Sequence, residues 1–216
     1  MLNYFIRVFF LMLFASSALA QDSVRQVRVS ADIAKLIVNT SSPNKDVQIA
    51  IDALLKKDTY YTFEFGQGSS SVDNSLLNYS TSNSFIKIGL DKSLLLPIDN
   101  KDLDIAFVGL RLAASSINRS EGYFKTTNSF WGSTNGVVPS ASFFAPWFEL
   151  LGGIKVDVLP TITAGWTLRW KFMLNHTQFS ELPPAYIAGF GSANSATAFD
   201  FNFYIGYKLF CKSLRK

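Results

Sequence analysis

The sequence predicts an all-β fold: an eight-stranded antiparallel up-and-down transmembrane β-barrel. Three observations predict it. Apolar and polar residues alternate with a period of two in segment after segment. The links between those segments are short and long by turns. Nothing after residue 20 reads as an amphipathic helix long enough to cover a greasy sheet face. Lipid can provide that cover instead, and a sheet in lipid must close on itself to satisfy its backbone.

Residues 1–20 read as a cleaved signal peptide. A short start with Arg7 leads into the apolar stretch 8–14 and the small-residue triplet Ala18-Leu19-Ala20, followed by polar Gln21-Asp22-Ser23. No cysteine stands immediately after the cleavage point, so a lipid-anchored lipoprotein is not expected. Residues 21–210 are then one barrel domain, and 211–216 a basic tail. The single cysteine, Cys211, cannot close an internal disulfide. Removing Arg7 leaves 19 bases against 16 acids, too small a surplus to point to nucleic acid.

The first strand is the least regular. Across 27–38, Asp32 and Lys35 cannot both face inward on an unbroken strand, so a bulge is expected between them. The second sets Val47, Ile49 and Ile51 against Gln48 and Asp52. The third sets Tyr61, Phe63 and Phe65 against Thr62, Glu64 and Gly66. In the fourth, Ile86, Ile88 and Leu90 oppose Lys87, Gly89 and Asp91; in the fifth, Ala106, Val108, Leu110 and Leu112 oppose Gly109 and Arg111. The sixth, 146–158, has Phe148, Leu150, Ile154, Val156 and Val158 against Glu149, Gly153, Lys155 and Asp157. The seventh, 162–174, puts Trp166, Leu168, Trp170 and Phe172 opposite Gly165, Thr167, Arg169 and Lys171. The eighth, 199–210, is the clearest: Phe199, Phe201, Phe203, Ile205, Tyr207 and Leu209 oppose Asp200, Asn202, Tyr204, Gly206 and Lys208.

Short links fall at 56–59, 97–101 and 159–160, and long ones at 68–83, 117–142 and 175–196, with a short first outer loop at 40–45. This is the pattern of outer-membrane barrels with periplasmic turns, external loops and both termini in the periplasm. A soluble sandwich has no reason to sort its loops by parity; a soluble lipocalin-like barrel is the competing fold.

Eight strands enclose a lumen that side chains can fill. The polar faces would place Asp32, Asp52, Glu64, Asp91, Glu149, Asp157 and Asp200 there with Lys87, Arg111, Lys155, Arg169, Lys171 and Lys208. Seven acids against six bases suit a salt-bridged structural interior better than an ion-selective pore. Inward Gly66, Gly89, Gly109, Gly153, Gly165 and Gly206 leave room for the long cations. Trp166, Trp170, Tyr61 and Tyr207 suit membrane interfaces, whereas Trp147 shares its parity with Glu149 and is expected at a rim.

The expected function is structural or surface-interacting, with no catalytic residues, cofactor or metal site. Two alternatives are a narrow channel and a lipid-modifying enzyme, the latter resting on His176, Ser180 and Glu181 at the start of the last long loop. The long loops, rich in serine, asparagine and glycine, are where an extracellular ligand would bind; outer-membrane lipid is the other expected partner, and a monomer the expected state.

The segments Gly165-Trp166-Thr167-Leu168-Arg169-Trp170-Lys171, Pro184-Ala185-Tyr186-Ile187-Ala188-Gly189-Phe190-Gly191 and Arg28-Val29-Ser30-Ala31-Asp32-Ile33-Ala34-Lys35 resemble a family of uncharacterised outer-membrane β-barrel proteins from Bacteroidetes. The resemblance covers essentially the whole mature chain and implies a small barrel in the outer membrane, with no catalytic or ligand residues to carry over. One departure is that such barrels commonly end on an aromatic residue, whereas Phe210 is followed here by Cys211 to Lys216.

Overall fold

A computed structural model describes residues 26–40, 42–56, 58–95, 104–128, 132–176 and 182–211. The leader, the turn at 97–101, Ser180, Glu181 and the tail beyond Cys211 lie outside the described residues. In chain order the elements are β1 (Gln26–Asp32), α1 (Ile33–Val38), β2 (Lys45–Lys56), β3 (Thr59–Asp73), β4 (Leu77–Ser93), β5 (Ile105–Arg119), β6 (Gly122–Asn128), β7 (Gly132–Val138), β8 (Ala141–Asp157), β9 (Ile162–Met173) and β10 (Thr197–Cys211).

Eight of these strands close a barrel. β1, β2 and β3 pair in sequence, β3 pairs with β4, β4 with β5, β5 with β8, β8 with β9, β9 with β10, and β10 returns to β1, every pair antiparallel. The stagger follows from the register. From Thr197 the rungs run through Phe172, Phe148, Leu112, Ile88, Phe63, Ile51 and Val29 and re-enter β10 at Tyr207, ten residues further along. That offset is the shear that tilts the strands and sets the barrel's width. Apart from Thr197, every residue on the circuit is apolar or aromatic.

Two expectations are corrected. The chain does not bulge between Asp32 and Lys35; it leaves the sheet at Asp32 and turns into α1, a six-residue helix. Asp32 caps it, its carboxylate accepting from the Lys35 backbone N–H at 3.3 Å. The helix resolves the parity conflict by swinging Lys35 back over the barrel mouth, where it is buried. The second correction concerns the outer links. Most of 68–83 is not loop: β3 continues to Asp73 and β4 starts at Leu77, joined at a turn where Asn74 Oδ1 accepts from the N–H groups of Leu76 and Leu77 at 2.9 and 2.8 Å. Likewise β5 runs to Arg119 and β8 begins at Ala141, with the β6–β7 hairpin between them leaning on the upper end of β4.

Outward residues mark where the environment changes. On β3, β4 and β5 the apolar series Tyr61–Phe65, Ile86–Leu90 and Val108–Ala114 gives way to Gln67, Ser84 and Ser116, and these three are register neighbours. The change therefore runs along one rung rather than at scattered heights.

The interior has three layers. Near the outer end, Phe85, Ile117, Ala145, Trp147 and Met173 pack against Ile187, Ala188, Phe190 and Ala193 from the β9–β10 loop. At the opposite end lie Leu54, Tyr60, Ile105, Phe107 and Leu151. Charged side chains fill the space between.

Candidate functional site

The alternation that puts apolar side chains outside puts their neighbours inside. The structure places the thirteen charges at inward positions: Asp32 at the end of β1, Asp52 on β2, Glu64 on β3, Lys87 and Asp91 on β4, Arg111 on β5, Glu149, Lys155 and Asp157 on β8, Arg169 and Lys171 on β9, and Asp200 and Lys208 on β10.

Two glutamates form the centre. Glu64 accepts both terminal nitrogens of Arg169 at 2.9 Å, Arg111 Nε at 3.0 Å and Gln48 Nε2 at 2.7 Å. Glu149 accepts Lys87 Nζ at 2.8 Å, Arg169 Nη1 at 2.7 Å and Trp147 Nε1 at 2.8 Å. Arg169 therefore joins the two carboxylates across the lumen. Arg111 also grips Asp91 through a two-pronged pair at 2.7 and 2.9 Å, the geometry that suits a planar guanidinium. Below, Lys155 bonds Asp52 at 2.7 Å and Thr62 Oγ1 donates to the same carboxylate at 2.9 Å. Lys208 pairs with Asp157 apart from this centre. A small cavity beside Glu64, Arg111 and Arg169 is about 10 Å³, at the lower limit of what one water needs.

Gly89 shows why small residues stand among long cations. A Cβ there would strike the backbone oxygen of Leu110 and lie 2.6 Å from Arg111 Cδ, so the guanidinium stem crosses where a side chain would be.

Sequence reasoning missed the interior charges Asp46, Arg28 and Arg119 and tied Lys35 to a bulge that does not form. Lys35 bonds Asp46 at 2.7 Å and lies 3.5 Å from Asp200; Arg28 sits over the Tyr60 ring and 3.8 Å from Asp52; Arg119 is buried near the outer end. Asp46 and Arg28 share the parity of Asp52 and Asp32, a signal hidden because 40–45 read as loop and 27–38 as one strand. Trp147 is not exposed at a rim: it is fully buried, donating to Glu149 and meeting the Phe190 ring edge-on at 5.7 Å.

The β9–β10 loop closes the mouth as a plug. Ile187 and Gly191 form a tight turn with backbone bonds of 2.8 Å in which Gly189 takes a φ of 77°. A Cβ on Gly189 would lie 2.8 Å from the Phe85 ring, so both conformation and space call for glycine. Lys87 and Lys171 donate to the Gly189 carbonyl at 3.2 and 2.8 Å, and Asp46 accepts from the Gly189 N–H at 3.1 Å and the Tyr186 hydroxyl at 2.9 Å. The barrel's own charges thus hold the plug down.

At this outer anchor, burial opposes the Lys35 charge, but the Asp200 and Asp46 carboxylates outweigh it and hold the ammonium well above its usual range. Burial, aided by Asp46 and opposed by Lys35, pushes the Tyr186 phenol up. Both groups keep their protons more tightly folded than unfolded. Their contribution is complete at neutral pH, starts to fade where the unfolded groups titrate, about pH 10, and is lost above the folded values. Hydrogen exchange at residues 182–191 is therefore expected to stay flat, after correction for intrinsic rate, from about pH 6 to 9 and to rise above about pH 10. A rise already at pH 8 would contradict the anchor.

His176 follows β9 and is partly buried; its proposed companions Ser180 and Glu181 lie outside the described residues.

The family described as a domain of unknown function, DUF6048, matches residues 1–212. No curated protein matches the chain. Similar solved structures include Ail, the attachment invasion locus protein of Yersinia pestis, at 9% identity, covering 88% of this chain and 100% of that one with a TM-score of 0.43. Another is the N-terminal β-barrel domain of Pseudomonas aeruginosa OprF, at 9% identity, covering 86% and 98% with a TM-score of 0.35.

Proposed function

We propose that this chain, which belongs to the DUF6048 family, is a small outer-membrane β-barrel with a structural interior and a surface-interacting outer end. Export behind a leader cleaved after Ala20 and an origin in Bacteroidetes are part of the proposal, supported by the sequence motifs. One observation carries it. No charged residue occupies an outward position within 47–53, 61–65, 86–90, 106–114, 144–156, 162–172 or 199–209, although every one of these strands carries charge or hydrogen-bonding groups on its inner face. A face this uniform, with exposed Leu110, Leu168, Phe199 and Phe201, needs an apolar surrounding, and a closed sheet satisfies its backbone there.

The same interior argues for a scaffold over a channel. Glu64, Glu149, Arg111 and Arg169 engage each other, and the plug covers the mouth, so no continuous aqueous path is expected. No chemistry is assigned to His176. The deciding experiment is gel mobility of the outer-membrane fraction with and without boiling, joined to planar-bilayer recording of the purified protein. A heat-dependent shift in that fraction without steady current is the expected result. A soluble periplasmic protein without a shift would overturn the membrane reading, and steady current reduced by charge reversal at Arg111 would favour the channel.

A further inference from the structure

The outer end carries an open sheet edge, and we infer that β7 takes up an extended segment of another protein there as an added strand. The inference deepens the surface-interacting reading and rests on it.

The edge follows from the register. β5 pairs with β8 up to Arg119 opposite Ala141, and the same register resumes in the β6–β7 hairpin, from Gly122 opposite Val138 to Asn128 opposite Gly132. β5 and β6 thus form one arm of a single long hairpin, and β7 and β8 the other. From Ser116, where the apolar girdle ends, to Asn128 the chain rises roughly 40 Å along the strand, at about 3.3 Å per residue. The tip therefore stands clear of the lipid headgroups. On one side β6 meets β4 at Leu77 and Asn78; on the other, among the described residues, β7 pairs with β6 alone. In an antiparallel ladder each residue turns both backbone groups to the same side, so every second residue of β7 offers an N–H and a C=O away from β6.

This edge is unprotected. Native edges are shortened, charged, bulged or interrupted by proline. β7 has no charged residue and no proline, and its ladder with β6 shows no register shift. The opposite margin of the same extension differs: β3 beyond Ser69, where the pairing with β2 ends, is four residues long and closes on Asp73. Lower on β8 the Asn175 amide donates to the Phe144 carbonyl at 2.9 Å, so the uncovered stretch is β7 itself.

Side chains name the partner's chemistry. Asn78, Tyr123 and Val137 share a rung, and Lys125 and Asn135 stand two residues along on the same face. Tyr123 and Val137 are each 56% exposed. With Lys125 and Asn135 they line a hollow of about 460 Å³ that no acid borders among the described residues. An incoming strand would set alternate side chains beside Val137 and Asn135, which suits apolar residues flanking an acidic one. A second copy is the poorer occupant. β6 runs antiparallel to β4, so copies inserted the same way up present β7 strands running the same way, and those edges cannot pair antiparallel.

The test titrates the full-length mature protein in phospholipid nanodiscs with a fluorescein-labelled heptapeptide, Thr-Val-Thr-Glu-Thr-Val-Thr, and reads anisotropy. Saturable binding is expected, weakened at least tenfold when residues 122–138 are replaced by a Gly-Ser turn. Lys125→Glu is expected to weaken it at least threefold; the side chain is exposed, so its reversal leaves the ladder intact. Two N-methylated isomers of the peptide, one methylated at its even positions and the other at its odd ones, block opposite edges of the added strand, and one is expected to bind while the other does not. Binding of both isomers, loss of both, or indifference to the 122–138 replacement overturns strand addition. Sedimentation in detergent is expected to show a monomer; a dimer that the replacement dissolves makes a second copy the occupant and overturns the foreign partner. Each protein is also run with and without boiling: a retained shift with no peptide binding sinks the edge site alone, whereas a wild type without the shift sinks the barrel reading on which it rests.

Discussion

Glu64→Ala is expected to lower the temperature at which the barrel opens in detergent more than any other single substitution of an interior acid. Glu64 holds two guanidiniums where all three groups are buried. Removing it leaves Arg169 with only Glu149 and Arg111 with only Asp91, and breaking a buried ion cluster from one side costs about 3–5 kcal/mol. Removing the charge and its main counterpart together is the informative control. In Glu64→Met with Arg169→Met, Arg111 retains Asp91 and Glu149 retains Lys87, so no buried ion is stranded. The double variant is therefore expected to open at a higher temperature than Glu64→Ala. The reverse order would show that the network contributes net stability beyond pairing. Lys92→Ala, at an exposed pair with Asp58, is expected to leave the opening temperature unchanged.

Trp147→Ala is expected to release the plug while the barrel stays closed. Trp147 is the largest fully buried side chain among the described residues, and it floors the cluster that receives Ile187, Ala188 and Phe190. Emptying that volume removes the edge-on contact with Phe190 and one hydrogen bond to Glu149, a loss of about 3–5 kcal/mol for a buried Trp→Ala change. The strands around it keep their ladders. Limited proteolysis should then cut within 182–196 in the variant and not in wild type, with the heat-dependent gel shift retained in both. Trp147→Phe, which keeps most of the packing, should be protected. If Trp147→Ala resists cleavage as wild type does, the cluster is not what holds the loop.

Legibility in the sequence followed the surroundings of each segment. Where the outer face is apolar, one side chain in two must be greasy, so Phe199 to Leu209 and Trp166 to Phe172 could be read directly. Beyond Gln67 and Ser84 the outward residues are polar and the inward ones mixed, with Val72, Leu77 and Tyr79 among Ser70, Thr81 and Asn83, so the continuations to Asp73 and from Leu77 show no clear alternation. They are strands because β3 and β4 keep pairing, which is not a local property. The helix after Asp32 was hidden because Ile33 to Val38 is β-branched and apolar enough to pass for strand.

Parity placed the charges from Asp52 to Lys208 toward the lumen, since a strand side chain's face follows from its neighbours, but it could not place Lys35, which reaches the interior through α1. Local sequence also set the strand segments inside the girdle and their antiparallel order. Only the closed tertiary structure decided which charge meets which. Arg169 and Glu64 lie 105 residues apart, and Gln48 and Tyr204 lie 156 apart, so their meeting depends on register and the ten-residue stagger around the ring. The same holds for the plug: Gly189 meets Lys87, Lys171 and Asp46 because three separate strands bring these side chains to one level of the barrel, a proximity no stretch of chain encodes by itself.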